Sequence, residues 1–135
     1  MSYPITAIEG IDGEIAAILK SVKIRSTARL LEAASSPKGR KTLADKTGIS
    51  PKQLLCWANM ADRMRIKGVS KSYAELLQAA GVDTVRELTH RSPAKLAAAM
   101  AAANKQRKLV RVLPSEKTVA RWIEEAKRLP LKISY

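Results

Sequence analysis

The sequence predicts an all-α fold. Of its 135 residues, 46% are apolar and 27% are charged, a balance typical of a chain that folds rather than of a disordered basic tail. Phenylalanine is absent and aromatic residues reach only 4%, so leucine, isoleucine, valine and alanine must build the core. Apolar residues recur at helical spacing, β-branched alternation is scarce, and glycine and proline are few, which together favour helices.

An internal repeat organises the chain. An offset of 58 aligns residues 8–11 with residues 66–69, and Trp57 matches Trp122 at an offset of 65. We interpret the chain as two copies, residues 1–63 and 64–135. Each copy alone is small enough to be marginally stable, so we expect the two to pack into one compact helical unit.

Each copy opens with a predicted helix. Residues 13–22 and 71–80 place their apolar side chains at helical spacing. Gly81 stands where a left-handed residue ends the second of these helices. A short helix is predicted to follow in each copy, with Ser26 and Asp83 as N-caps.

Serine and proline mark four more helix starts. Serine precedes proline at 36–37, 50–51 and 92–93, which places a capping hydroxyl before the position where proline is tolerated. The pair at 114–115 is predicted to open a helix over residues 116–128. The two tryptophans lie within apolar helical stripes, so we expect both in the core.

Several functional classes are excluded by composition. With one cysteine, Cys56, and one histidine, His90, the chain has neither an internal disulfide nor a zinc site built from these residues. We expect Cys56 to be a buried, inert thiol and His90 to lie at the surface near a helix end. No stretch approaches the roughly 18 apolar residues that span a bilayer, and residues 1–10 lack the features of a secretion signal, so a cytoplasmic protein is expected.

No catalytic motif is found in the sequence. A phosphate loop, a cluster of metal-binding carboxylates and a set of Ser, His and Asp residues typical of hydrolases are all missing. We therefore expect a non-enzymatic protein with no catalytic residue, cofactor, metal, membrane partner or small-molecule substrate.

A net charge of +13 indicates a polyanionic partner. Residues 1–63 hold 10 basic and 6 acidic residues, a net +4, whereas residues 64–135 hold 15 and 6, a net +9. The second copy is therefore expected to dominate the electrostatic field. A further basic cluster in the first copy consists of Lys38, Arg40 and Lys41, at the start of a predicted helix.

The repeated apolar-Gly-apolar turns at residues 8–13 and 66–71 resemble the helix-hairpin-helix module. Residues 80–88 also resemble the C-terminal domain of the bacterial RNA polymerase alpha subunit, which carries that module. Through stretches such as 57–62 and 64–69, the whole chain is similar to a bacterial family of unknown function that repeats the module in tandem. The resemblance implies an all-α fold of two tandem helix-hairpin-helix (SAM-like) repeats.

Such a hairpin binds a phosphate through backbone N–H groups of the turn and the positive N-terminal end of the next helix. Modules that bind DNA usually carry a second glycine two positions after the first, where this chain has Asp12 and Ser70. Acidic residues surround the first turn, so the second is the better candidate. The predicted nucleic-acid-binding residues are Arg65, Lys67, Gly68, Val69, Ser70, Lys71 and Ser72 of the hairpin, and Lys105, Arg107, Lys108 and Arg111 of a basic insertion.

Two functional interpretations follow. The first is non-sequence-specific binding to the DNA backbone through the second hairpin, with RNA as a less favoured nucleic acid. The alternative is a protein-protein adaptor whose scaffold has lost DNA contact and docks an acidic partner.

Overall fold

The computed structural model describes residues 2–135 and is helical across them, with no β-strand in that range. A 3-10 turn at Ile5–Ala7 precedes eight α-helices, which are α1 (Gly13–Ser21), α2 (Thr27–Ala33), α3 (Pro37–Thr47), α4 (Pro51–Arg63), α5 (Lys71–Ala79), α6 (Val85–Leu88), α7 (Pro93–Arg107) and α8 (Glu116–Arg128). Within the described chain, no helix has the length and apolar character needed to cross a membrane.

The chain divides into two compact units. Unit 1 comprises the residues up to Arg65 together with Lys132–Tyr135, and unit 2 comprises Ile66–Leu131. In unit 1, α4 packs against α2 and α3, and in unit 2, α7 packs against α5 and α8. Packing of the two halves into one unit stays a prediction.

Both units contain the same four helices in the same order. The starts of α1 and α5, and of α2 and α6, are related by the same offset that aligns the two turns in the sequence. The starts of α4 and α8 are related by the larger offset that aligns the two tryptophans. In unit 2 the helix α7 is four residues longer than α3, and the linker that follows it, residues 108–115, is five residues longer than its counterpart, residues 48–50.

Side-chain caps explain where the helices begin. The predicted starts of α3, α4, α7 and α8 are confirmed, and three of these helices have a serine hydroxyl that accepts a backbone N–H of the first turn. Ser26 caps α2 in the same way. Gly81, with φ +97°, follows the end of α5 as predicted.

The predicted N-cap of α6 is wrong by one residue. Thr84 is the cap, because its hydroxyl accepts the N–H of Glu87 and its carbonyl accepts the first helical bond, from Leu88. Asp83 lies one position earlier, and its N–H donates to the Glu87 carboxylate at 2.8 Å. This arrangement satisfies two backbone donors at the start of a four-residue helix.

Equivalent apolar residues form the core of each unit. Leu19 and Leu30 of unit 1 and their counterparts Leu77 and Leu88 of unit 2 are each at most 2% exposed. Trp57 and Trp122 are buried, as the stripe pattern predicted. His90 is exposed just after α6, also as predicted.

The expectation of a buried thiol is wrong, since Cys56 is exposed. The buried stripe of α4 contains Leu54, Trp57, Ala58 and Ala61. Cys56 is rotated about 100° from Trp57 and lies on the opposite side of the helix from the middle of that stripe. The neighbouring tryptophan therefore gives no indication of burial for this cysteine.

Arg40 does not belong to a surface cluster with Lys38 and Lys41. It is only 5% exposed, and its guanidinium donates to the carbonyl of Ala34 at 2.9 Å and to that of Ser134 at 2.7 Å. The N–H of Ser134 in turn donates to the carbonyl of Ser35. Arg40 therefore anchors the C-terminal segment of unit 1, a role that no local sequence pattern indicates.

One glycine in each unit lies under a tryptophan. Gly10 and Gly68 have φ of +93° and +89°, and a Cβ at these positions would lie 3.3 Å from Nε1 of Trp57 and 3.5 Å from Nε1 of Trp122. The left-handed backbone disfavours a side chain at both positions, and at Gly10 the indole also crowds a Cβ.

We predict that Gly10→Ala and Gly68→Ala each lower the free energy of unfolding by about 1–2 kcal/mol, because alanine is strained at positive φ. Chemical denaturation followed by circular dichroism measures the change. Gly13→Ala is the control, since Gly13 begins α1 and a Cβ there meets no atom within 4 Å. Equal losses in all three variants would contradict the role of the two turns.

Candidate nucleic-acid interface

The turn of unit 2, residues 66–70, is held by two buried side chains. Ile66 and Val69 are fully buried, and the N–H of Val69 donates to the carbonyl of Ile66 at 3.1 Å. Lys67, between these two residues, and Ser70, directly after Val69, are exposed. The turn therefore exposes polar residues at fixed positions while its apolar residues anchor it to the core.

The turn of unit 1 has the same backbone. The N–H of Ile11 donates to the carbonyl of Ile8 at 3.2 Å, and α1 follows this turn as α5 follows the turn of unit 2. The two turns differ in the residue that precedes the helix. Asp12 caps α1 by accepting the N–H of Ile15 at 2.9 Å, whereas Ser70 makes no side-chain cap to α5. The Asp12 carboxylate therefore lies at the N-terminus of α1, whereas the equivalent residue of unit 2, Ser70, has no carboxylate.

A second carboxylate contacts the turn of unit 2. Glu125 of α8 accepts the N–H of Lys67 at 3.0 Å. The repeat gives no signal for this contact, because the offset of 65 aligns Glu125 with Met60, an apolar residue. The N–H of Lys67 is thus already hydrogen-bonded. The first turn of α5, which follows, has no side-chain cap from Ser70.

A cavity of about 610 Å³ lies beside this turn, within unit 2. It is lined by residues of the turn, the 108–115 linker and α8, among them Lys67, Gly68, Leu113, Ser115, Thr118 and Arg121. Arg121 and the two hydroxyl residues were not among the sequence-predicted site residues. Ser115, the N-cap of α8, and Thr118 and Arg121 within that helix recur at every third residue. The sequence does not show that Lys67 of the turn lines the same cavity.

Tyr73 joins the cavity to the linker. Its ring packs against Trp122, with centroids 5.5 Å apart, and its hydroxyl donates to the carbonyl of Val112 at 2.8 Å. Asn104 fixes the other end of the linker, since its side chain both donates to and accepts from the backbone of Val110. Tyr73 therefore packs against α8 and anchors the linker.

The remaining predicted residues lie in different surroundings. Lys71 and Ser72 are exposed on the first turn of α5, and the basic residues of the insertion, Lys105, Arg107, Lys108 and Arg111, are exposed at the end of α7 and in the linker. Arg65 belongs to unit 1, where its guanidinium pairs with Asp62 at 2.8 Å with little exposure. Val69 is buried, with its N–H already bonded.

The division into units also redistributes the charge. Unit 1 holds 12 basic and 6 acidic residues, a net +6, and unit 2 holds 13 and 6, a net +7. Arg65 and Lys132, which the sequence repeat assigned to the second copy, belong to unit 1. Local arrangement, rather than total charge, therefore distinguishes the two units.

We predict that Tyr73→Phe loosens the 108–115 linker, because it removes the hydrogen bond to Val112. Hydrogen exchange should accelerate in the linker, and the free energy of unfolding should fall by about 1 kcal/mol at most. Tyr3→Phe serves as the control, since the Tyr3 hydroxyl has no hydrogen bond within the described residues. Unchanged exchange in the linker of the Tyr73 variant would contradict this role.

The geometry defines an all-helical protein made of two units with the same helix order, each with a left-handed glycine under a tryptophan. Residues 9–129 match the family described as domain of unknown function DUF4332, and the chain belongs to that family. Comparisons with curated proteins and with solved structures give no match.

Proposed function

We propose that this protein is a non-enzymatic nucleic-acid-binding protein, active in the cytoplasm, whose two units are tandem helix-hairpin-helix modules. Unit 2 contacts the DNA backbone without reading the base sequence. The observation that carries this proposal is the difference in side-chain capping between two turns that share the same backbone hydrogen bond. In unit 1 the Asp12 carboxylate already accepts a backbone N–H of α1, whereas the N-terminus of α5 has no side-chain cap.

The surroundings of α5 favour an anion. The first turn of a helix presents backbone N–H groups and the positive end of the helix dipole. Lys67 and Lys71 flank Ser70 and are exposed, and Ser72 adds a hydroxyl. A phosphate oxygen at this position would accept a backbone hydrogen bond of the kind that Asp12 accepts in unit 1, with two lysines to balance its charge.

The basic insertion supplies further phosphate contacts in this proposal. Lys105 and Arg107 lie in the last turn of α7, and Lys108 and Arg111 lie in the linker, where all four are exposed. Contacts of this kind are made to sugar and phosphate and carry no sequence information. The proposal therefore predicts affinity that depends on salt more than on base sequence.

The salt dependence of binding tests the proposal. For duplex DNA the logarithm of the affinity should fall linearly with the logarithm of salt concentration, by about 0.9 per phosphate contact. Lys67→Ala combined with Lys71→Ala should reduce that slope by about 1.8, the equivalent of two contacts. Gel shifts or fluorescence anisotropy across a salt series measure the slope, with structured RNA and single strands as comparisons.

The matched control is Lys52→Ala combined with Lys95→Ala. Both lysines are exposed, on α4 and α7, and neither belongs to the turn or to the lining of its cavity, so the net charge changes equally. This control should leave the slope close to that of the parent. Absence of binding to any duplex at low salt, or equal slopes for the two double variants, would overturn the proposal.

We predict that Ser70→Asp separates stability from binding. A carboxylate at this position should cap α5 as Asp12 caps α1, raising the free energy of unfolding by about 0.5–1 kcal/mol. The same carboxylate should lower the affinity for duplex DNA, because it occupies the helix N-terminus and repels phosphate. Thermal unfolding and anisotropy measure the two effects, with Ser92→Asp at the N-terminus of α7 as the control that gains a cap without losing affinity. A Ser70 variant that is more stable and binds DNA as tightly as the parent would contradict the proposed contact.

A further inference from the structure

Unit 1 contains a second open cavity, of about 520 Å³, which the proposed function does not use. It lies between the α1–α2 turn, α2 and one face of α3. Its rim carries the basic residues Lys23, Arg29, Lys38 and Lys46 and a single carboxylate, Glu32. We refer to this cavity as the basic groove.

Most of the positive charge on this rim is not neutralised by neighbours. Arg29 pairs with Glu32 at 3.7 Å, and both side chains are more than 60% exposed. Among residues 2–135, no ion pair includes Lys23, Lys38 or Lys46. The groove therefore has an excess of three positive charges around a concave surface, where charges of one sign concentrate an oppositely charged ligand.

Four of the lining residues are apolar, and we refer to them as the floor of the groove. Ile24 and Leu43 are buried, and Val22 and Ala33 are half-buried. A basic rim over an apolar floor fits a ligand that carries both negative charge and apolar side chains. A nucleic-acid backbone presents phosphate and sugar but no aliphatic side chain to such a floor.

Unit 2 shows that the repeated fold does not by itself produce this groove. At the offset of 56 that relates α3 to α7, Lys38, Thr42 and Lys46 are replaced by Ala94, Ala98 and Ala102. Gly81 takes the place of Lys23, and the guanidinium of Arg91 lies against this region, 3.3 Å from the carbonyl of Ala80. The lysines of the rim are thus specific to unit 1.

We propose that the basic groove binds an acidic segment of a partner protein in extended conformation, with its carboxylates on the lysines and its apolar side chains on the floor. Lys38 and Lys46 are eight residues apart on one face of α3, which corresponds to about 12 Å along a helix. About four residues of extended chain cover that distance. Docking of an acidic partner is the alternative function that the sequence left open. The basic groove gives it a location in unit 1, and this location does not involve the turn of unit 2.

Fluorescence anisotropy of the full chain with a short labelled peptide that alternates aspartate and leucine tests the proposal. The parent should bind this peptide, and Lys38→Ala combined with Lys46→Ala should weaken binding about tenfold, since two of the rim charges are lost. Both substitutions introduce the residue that unit 2 carries, and alanine favours helix, so α3 should still form. Circular dichroism confirms the fold of the variant.

Three comparisons decide between this site and general attraction to a basic protein. Lys52→Ala combined with Lys95→Ala removes the same charge outside the groove and should leave peptide affinity within about twofold of the parent, a residual that long-range electrostatics accounts for. A peptide with asparagine in place of aspartate should not bind, and one with serine in place of leucine should bind more weakly.

Several results would overturn the proposal. These are equal affinity of the Lys38 and Lys46 variant and the parent, equal losses in the two double variants, or equal binding of the aspartate-leucine and aspartate-serine peptides. Loss of duplex DNA affinity in the Lys38 and Lys46 variant, with peptide affinity retained, would instead assign the groove to nucleic acid. Because Lys67 and Lys71 take no part in these measurements, their outcome is independent of the DNA-binding proposal.

Discussion

The left-handed glycine under a tryptophan is the constraint on which each unit depends. In both units this glycine lies in the turn that leads into the first helix, and the tryptophan comes from the last helix. The close approach of Gly10 to Trp57, and of Gly68 to Trp122, therefore ties the start of each helical array to its end. A residue with a side chain is strained at either glycine, and at position 10 it also crowds the indole of Trp57.

Much of the fold could be predicted because its signals are local. A serine before a proline is enough to start a helix, and the apolar stripes identify both tryptophans as core residues. Two errors concerned local features that were misread. Thr84 rather than Asp83 caps α6, although Thr84 and Glu87 have the spacing of a capping box, and Cys56 lies off the buried stripe of α4. The burial of Arg40 has no local signal, because its guanidinium donates to the carbonyl of Ser134, which is 94 residues away.

The candidate site shows the same limit. The sequence was sufficient to select the turn of unit 2 and its exposed lysines, since the residue types and their spacing are local properties. Nothing in it indicated that Glu125 accepts the N–H of Lys67. The ion pair of Arg65 with Asp62 has a local signal, their spacing of three residues, which the prediction of Arg65 as a binding residue did not use. The contrast in net charge between the copies also depended on where the copies were divided. In the structure, unit 1 ends two residues later and also includes Lys132–Tyr135. What separates the units is which positions hold a carboxylate, a lysine or an alanine.

The C-terminal segment has a consequence for how the chain folds. Lys132–Tyr135 belongs to unit 1 and is held there by the bonds of Ser134 to Ser35 and Arg40, although the whole of unit 2 intervenes in the sequence. Unit 2 is thus a continuous insertion whose two ends are both fixed in unit 1. When unit 2 unfolds while these bonds persist, it forms a closed loop rather than a free chain, and a closed loop has less conformational entropy to gain. The few hydrogen bonds at the tail therefore stabilise a unit that they do not touch.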